Sequence, residues 1–100
     1  MLREKTYDAL IAFGVNPRSH GLYYIIEAVE MFEPELKAME LYRLIGQRHG
    51  KTPELIERAI RYSFNQMDFK SEEVGEFFGG KKFTNIGYIS ILHFKLSRGY

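Results

Sequence analysis

The fold of this chain is decided by residues 44–64, which read LIGQRHGKTPELIERAIRYSF. Apolar positions before Gly50 recur at helical spacing, and Gly50 can adopt the left-handed backbone conformation with which many helices end. Thr52 is a favourable N-cap, and Pro53 follows at the first helical position, where its missing N–H costs nothing. The stretch therefore predicts two helices joined by a tight turn, the pattern of a helix-turn-helix.

Helical segments account for the rest of the chain as well. Apolar residues recur at helical spacing in six segments, near 2–13, 19–32, 35–49, 53–67, 71–79 and 84–96. No segment alternates between apolar and polar residues for more than a few positions. We therefore predict an all-α fold, a compact bundle of five to six helices that forms one domain over residues 1–100. The helix-turn-helix is expected at about 36–67.

Composition excludes several classes of protein. The 100 residues are 45% hydrophobic and include no cysteine, so neither a disulfide framework nor a thiolate metal site is possible. No apolar run approaches the roughly 20 residues of a membrane span, and the first residues lack the apolar stretch of a secretory signal. We expect a cytoplasmic protein without membrane association and without a cofactor.

The net charge of +1 hides an uneven distribution of charge along the chain. Residues 36–67 carry six basic and three acidic side chains, and residues 81–100 carry four basic and no acidic ones. Acidic side chains are in excess in residues 1–35 and 68–80. Two basic zones on a near-neutral chain predict a basic surface that forms on folding, as in nucleic-acid-binding proteins. The alternative is chance, because such fluctuations are common in short segments.

The helix that begins at Pro53 carries the side chains best suited to recognise DNA bases. Its predicted outer face, at the spacing i, i+4, i+7, i+8 and i+11, consists of Glu54, Arg58, Arg61, Tyr62 and Asn65. Arginine can pair with the N7 and O6 atoms of guanine, and glutamate can accept from the N4 amine of cytosine. We therefore predict that Glu57 and Arg58 read bases in the major groove of double-stranded DNA.

A simpler interpretation of the same helix remains open. Glu54 with Arg58, and Glu57 with Arg61, have the i,i+4 spacing of ion pairs on a solvated helix surface. Each pair would contribute only about 0.2–0.5 kcal/mol. The sequence of this helix alone does not decide between ion pairs and DNA recognition, but the preceding turn favours DNA recognition.

The DNA backbone is the predicted partner of both basic zones. In the second zone, Lys82, Thr84 and Asn85 open the last helix, where free amides and the helix dipole attract a phosphate. The alternative is a solvated lysine pair, with Thr84 acting only as a helix cap. The full set assigned to the DNA backbone is Arg48, Lys51, Thr52, Glu54, Arg61, Tyr62, Lys82, Thr84 and Asn85.

Catalysis has no support in the sequence. His20, His49 and His93 lack the spacing of metal ligands and have no acidic partner that would indicate a hydrolytic triad. The GGKK stretch at 79–82 is too short for a phosphate-binding P-loop. We therefore expect no enzyme activity, no catalytic residue, no metal site and no small-molecule substrate.

Three stretches of the chain are similar to a known family. They are GVNP at 14–17 with GLYY at 21–24 and EA at 27–28, Thr52 with IERAIR at 56–61, and TN at 84–85 behind FG at 78–79 and Lys82. In these stretches the chain resembles the C-terminal DNA-binding effector domain of the stage-zero sporulation protein A family of response regulators. The resemblance spans nearly the whole chain.

The resemblance implies a six-helix domain whose third and fourth helices form the helix-turn-helix. Such domains bind short boxes with a G·C core as tandem dimers, activate or repress transcription, and engage RNA polymerase, here with its sigma subunit as the expected partner. By resemblance, Glu57 and Arg58 match base-reading positions and Arg61 a backbone-contacting position. Lys82 and Thr84 are implied to lie near the DNA backbone.

The chain also departs from the family pattern. Leu55 stands where the family has an arginine, Tyr62 replaces a histidine, and the segments around 68–72 and 79–83 are shorter. These 100 residues include no receiver domain, so we expect an effector domain without its receiver domain: either a piece of a longer protein or a stand-alone protein with no phosphorylation switch. The alternative is a helical protein–protein interaction module that has kept the fold but lost DNA binding. Its expected surface is the acidic face of residues 27–35.

Overall fold

Within residues 1–99, the part of the chain that the computed structural model describes, there are six α-helices and no strand. The helices are α1 Leu2–Phe13, α2 His20–Met31, α3 Ala38–His49, α4 Pro53–Phe64, α5 Glu72–Phe78 and α6 Asn85–Ser97. The prediction of an all-α bundle is confirmed. None of these helices has the length and apolar character that crossing a bilayer requires.

Two helix boundaries differ from the predicted ones. The segment before Ala38 forms a turn, in which the Leu36 N–H donates to the Glu33 carbonyl at 3.0 Å, so α3 begins about three residues later than expected. The second difference is at the end of α4, where the Met67 N–H donates to the Phe64 carbonyl in a tighter, three-residue turn, so that α4 ends at Phe64. Met67 is nevertheless buried, which is why the apolar pattern extends past the end of α4.

The turn between α3 and α4 has the conformation that its sequence predicts. Gly50 has a φ of 67°, in the left-handed region, and the Thr52 hydroxyl accepts a hydrogen bond from the Leu55 amide at 3.2 Å. A Cβ atom at Gly46 would overlap the carbonyl oxygen of Lys51. The absence of a side chain at Gly46 therefore lets the turn fold back closely against α3.

The central helix of the bundle is α2, which packs against α1, α3, α4 and α6. Its contact with α4 is the closest, because a Cβ atom at Gly21 would overlap the Ala59 carbonyl oxygen. Ile45 of α3 and Ile56 and Ile60 of α4 are all fully buried. These contacts fix the rotation of α4 about its own axis and therefore determine which of its side chains face solvent.

Candidate nucleic-acid interface

The outer face of α4 is exposed along its whole length. The five residues predicted to share this face all lie at the surface: Glu54, Arg58, Arg61, Tyr62 and Asn65. The opposite side of the helix is buried through Ile56, Ile60 and Ser63. The prediction of one exposed polar face opposite an apolar one is confirmed.

Arg58 is exposed at the middle of this face. Its guanidinium forms no hydrogen bond or ion pair with any other described residue, so the Glu54–Arg58 ion pair that the spacing allows is not formed. An unpaired guanidinium keeps five N–H donors in a rigid, planar arrangement for a ligand. Arg58 is therefore free to make the bidentate contact expected of a base reader.

Glu57 and Arg61, by contrast, do form an ion pair. Arg61 Nη1 lies 2.9 Å and 3.1 Å from the two carboxylate oxygens of Glu57. Asn85, from the start of α6, donates to the same carboxylate at 3.3 Å and to the Glu57 carbonyl at 3.2 Å. A carboxylate offers about four acceptor positions, so Glu57 can hold Arg61 and Asn85 and still accept from a cytosine amine.

One side of α4 borders a cavity of 370 Å³, the Lys82 cleft, where the two basic zones meet. The polar residues that line it are Tyr42, Glu57, Arg61, Asn65, Lys82, Thr84 and Asn85. The Lys82 ammonium lies 5.1 Å from the centre of the Phe69 ring, in a cation–π position. Arg61 keeps about half of its side chain in solvent. Both cations are therefore accessible to a phosphate.

Tyr42 forms the buried wall of the Lys82 cleft. Burial raises the pKa of its phenol above the usual 10.0, the hydrogen bond with Asn85 lowers it in part, and the negative charge of Glu57 raises it further. Asn85 is thus held between Tyr42 and Glu57. Its predicted contact with the DNA backbone stays a prediction, whereas its observed contacts position Glu57.

The other side of α4 borders a cavity of 510 Å³, which we call the Leu55 groove. It is lined by Arg18, Ser19, His20, Gly21, Leu55, Arg58, Ala59 and Tyr62. Arg18 lies in an acidic segment of the sequence and was not predicted as a site residue. It reaches α4 only because Gly21 docks the start of α2 onto Ala59, and no pattern in the sequence signals that contact.

The remaining residues that were predicted to contact the DNA backbone differ in their exposure and in their contacts. Lys51 and Thr52 are exposed, and the Thr52 hydroxyl, which accepts from Leu55, keeps its own proton to donate. The Thr84 hydroxyl caps α6 in the same way, accepting from the Gly87 amide at 3.3 Å. Arg48 points instead toward α2, with Nη1 3.5 Å from a Glu27 oxygen, although most of its side chain is exposed.

Glu27 corrects one sequence-based expectation. It was placed on an exposed acidic face of residues 27–35, but its side chain is only 8% exposed. His49, for which no acidic partner was expected, lies with Nε2 2.5 Å from a Glu27 oxygen. The prediction was wrong because α3 covers this turn of α2. The contact ties the end of α3 to α2 immediately before the turn.

Two further observations describe the remaining histidine and acidic side chains. His93 is partly buried, with Nδ1 2.7 Å from the Val29 carbonyl oxygen. Within residues 1–99 no three histidine, aspartate or glutamate side chains come together as a metal-binding group.

We found no family model and no curated protein that matches the sequence. The function is therefore inferred from the geometry of α4 and its two flanks.

Proposed function

We propose that this protein is a sequence-specific transcription regulator that binds double-stranded DNA through α4. The observation that carries the proposal is the unpaired Arg58 guanidinium at the centre of an exposed helix face, directly after a helix-turn-helix turn. An α-helix fits the major groove, where each base pair presents a distinct set of donors and acceptors. The proposal includes no catalytic step.

In this proposal the two sides of α4 have different tasks. Arg58 pairs with a guanine, and Glu57 accepts from a cytosine while it holds Arg61 in place. Phosphates are bound by Arg61 and Lys82 from the Lys82 cleft, and by Lys51 from the turn. Such phosphate contacts contribute to affinity for every sequence and position the helix in the groove.

We propose further that the chain is an effector domain of the stage-zero sporulation protein A type. The support is the shared sequence of the turn and α4, namely Thr52 and the IERAIR stretch at 56–61. In that setting it would bind tandem G·C-cored boxes as a dimer, with the RNA polymerase sigma subunit as a second partner.

The test begins with selection of preferred duplexes from a random pool, followed by anisotropy titrations over a range of salt concentrations. Arg58→Ala is expected to lose about 1–3 kcal/mol of discrimination at one base pair. Lys82→Ala should weaken binding to all duplexes alike. The salt slope, the slope of log affinity against log salt concentration, should fall by about one in magnitude. Circular dichroism controls for folding. Equal behaviour of the two variants, with unchanged affinity, would contradict the proposal.

A second candidate function is supported by the apolar side chains on α4. Leu55 and Tyr62 are 43% and 67% exposed and lie in the same groove, as in a surface that binds another protein. A helical interaction module of this kind would have kept the fold and lost DNA binding. It would show no salt-dependent affinity for any duplex, so the same titrations distinguish the two functions.

A further inference from the structure

The Leu55 groove has an apolar floor on the outer side of α4. Leu55 is an aliphatic residue that is 43% exposed and does not belong to the hydrophobic core. Tyr62 follows two turns later on the same side, with Ala59 between them. The helix therefore presents an apolar strip from Leu55 to Tyr62 next to the unpaired Arg58.

The rim of the groove is basic. Arg18 and Arg58 both line it, and the described lining includes no aspartate or glutamate. The Arg18 guanidinium, like that of Arg58, has no hydrogen-bond or ion-pair partner within residues 1–99. Apolar side chains that share a groove with two unpaired guanidinium groups complement a surface that carries both phosphates and an accessible apolar group. The major groove of DNA has this arrangement wherever it contains the C5 methyl group of thymine.

We propose that Leu55 contacts the methyl group of a thymine that neighbours the guanine bound by Arg58. The inference rests on the proposed DNA-binding function and adds a second specified base to the site. Leu55 and Arg58 are three residues apart, so their Cβ atoms lie about 5–6 Å from each other. This separation suits neighbouring base pairs, whose rise is about 3.4 Å along each strand.

Duplex DNA accounts for the groove better than an acidic peptide does. The groove is continuous with the outer face of α4, since Arg58 belongs to both. A helix lying in the major groove would bring Arg18, Leu55 and Arg58 to the DNA together. A peptide confined to the groove would leave the remainder of that face, including Asn65, without a partner.

The test replaces each thymine of a selected duplex in turn with deoxyuridine, which lacks only the methyl group. For the unmodified protein, one substitution is expected to weaken binding about fourfold, corresponding to about 0.8 kcal/mol for one buried carbon. Leu55→Ala should bind the thymine and deoxyuridine duplexes equally. Since Leu55 lies outside the core, the variant should fold, as circular dichroism can verify.

Two control variants make the test specific. Met39→Ala removes a somewhat more exposed apolar side chain, 53% accessible, from α3, and it should keep the full fourfold methyl effect. Arg58→Ala should lose its preference for guanine and still distinguish thymine from deoxyuridine. Together these controls separate a contact made by Leu55 from a general effect of apolar surface or of weaker binding.

The outcomes separate this inference from the proposed function. If the unmodified protein binds no duplex with salt-dependent affinity, the proposed function itself is overturned. If it selects a sequence but no deoxyuridine substitution matters, or if Leu55→Ala keeps the methyl effect, only the thymine contact is overturned. The Leu55 groove would then be assigned to a partner protein.

Discussion

The two flanks of α4 differ in how their charged groups are used. In the Lys82 cleft, Glu57 is bound to Arg61 and Asn85, and Lys82 lies over an aromatic ring. In the Leu55 groove, the guanidinium groups of Arg18 and Arg58 have no hydrogen-bond or ion-pair partner within residues 1–99. One flank is thus organised by contacts inside the protein, and the other keeps its donors for a ligand. The same helix combines a preformed scaffold with a free recognition surface.

The largest effect is expected where α2 and α4 meet beneath the Leu55 groove. In Gly21→Ala the new methyl group would overlap the Ala59 carbonyl oxygen and contact the Ser63 hydroxyl, so the helices must separate. The free energy of unfolding should fall by about 3 kcal/mol, at the upper end of overpacking effects. Urea denaturation followed by circular dichroism measures this.

Gly75→Ala is the matched control for Gly21→Ala. Nothing lies within 4 Å of the position that its Cβ would occupy, and alanine is the better helix former by about 1 kcal/mol. This variant should be slightly more stable than the unmodified protein. Similar losses of stability in both variants would show that the close contact between α2 and α4 does not cause the destabilisation of Gly21→Ala.

The second prediction concerns Glu57 and distinguishes its two roles in the Lys82 cleft. Glu57→Ala removes the cytosine contact and also releases Arg61 from its ion pair. Affinity for the preferred duplex should fall by about 1–2 kcal/mol, whereas affinity for an unrelated duplex should rise because a negative charge is lost. Anisotropy titrations measure both. A fall of equal size on both duplexes would show that Glu57 only supports the structure.

The third prediction compares the phosphate contacts of the two flanks. Arg18→Ala, in the Leu55 groove, should weaken binding to every duplex severalfold and reduce the salt slope by about 0.9, the value for one phosphate contact. Lys82→Ala, on the other flank, should reduce the salt slope by the same amount. Arg98→Ala is the control, because it removes an exposed arginine at the C-terminal end of α6, whereas Lys82 precedes the N-terminal end of that helix. If Arg18→Ala behaves like Arg98→Ala, Arg18 does not contact DNA.

The smallest effect concerns the pH dependence of stability at the Lys82 cleft. Because burial raises the pKa of Tyr42 above 10.0, the folded protein holds the phenolic proton more tightly than the unfolded chain. This contribution is complete below the unfolded value and is lost as the pH rises through the folded one. Denaturant titrations up to pH about 11 should therefore show a smaller decline for Tyr42→Phe. An equally steep decline in both proteins would contradict the assignment.

The candidate site could be predicted from the sequence only in part. The outer face of α4 followed from residue spacing alone, and Glu54, Arg58 and Arg61 are exposed as expected. The sequence could not predict that Arg58 is unpaired whereas Arg61 forms an ion pair, because each arginine follows a glutamate by four residues. Arg18 was missed because its neighbours on α4 are distant in the chain.

The sequence by itself determined the local structure: six helices, the left-handed turn at Gly50, and the hydroxyl caps at Thr52, Ser71 and Thr84. These features depend on contacts within a few residues, so their pattern can be recognised in the chain. Only the tertiary structure decided that Glu27 is buried against His49 and that Asn85 holds Glu57, pairs that are 22 and 28 residues apart. Such contacts depend on how the helices pack, which no local spacing records.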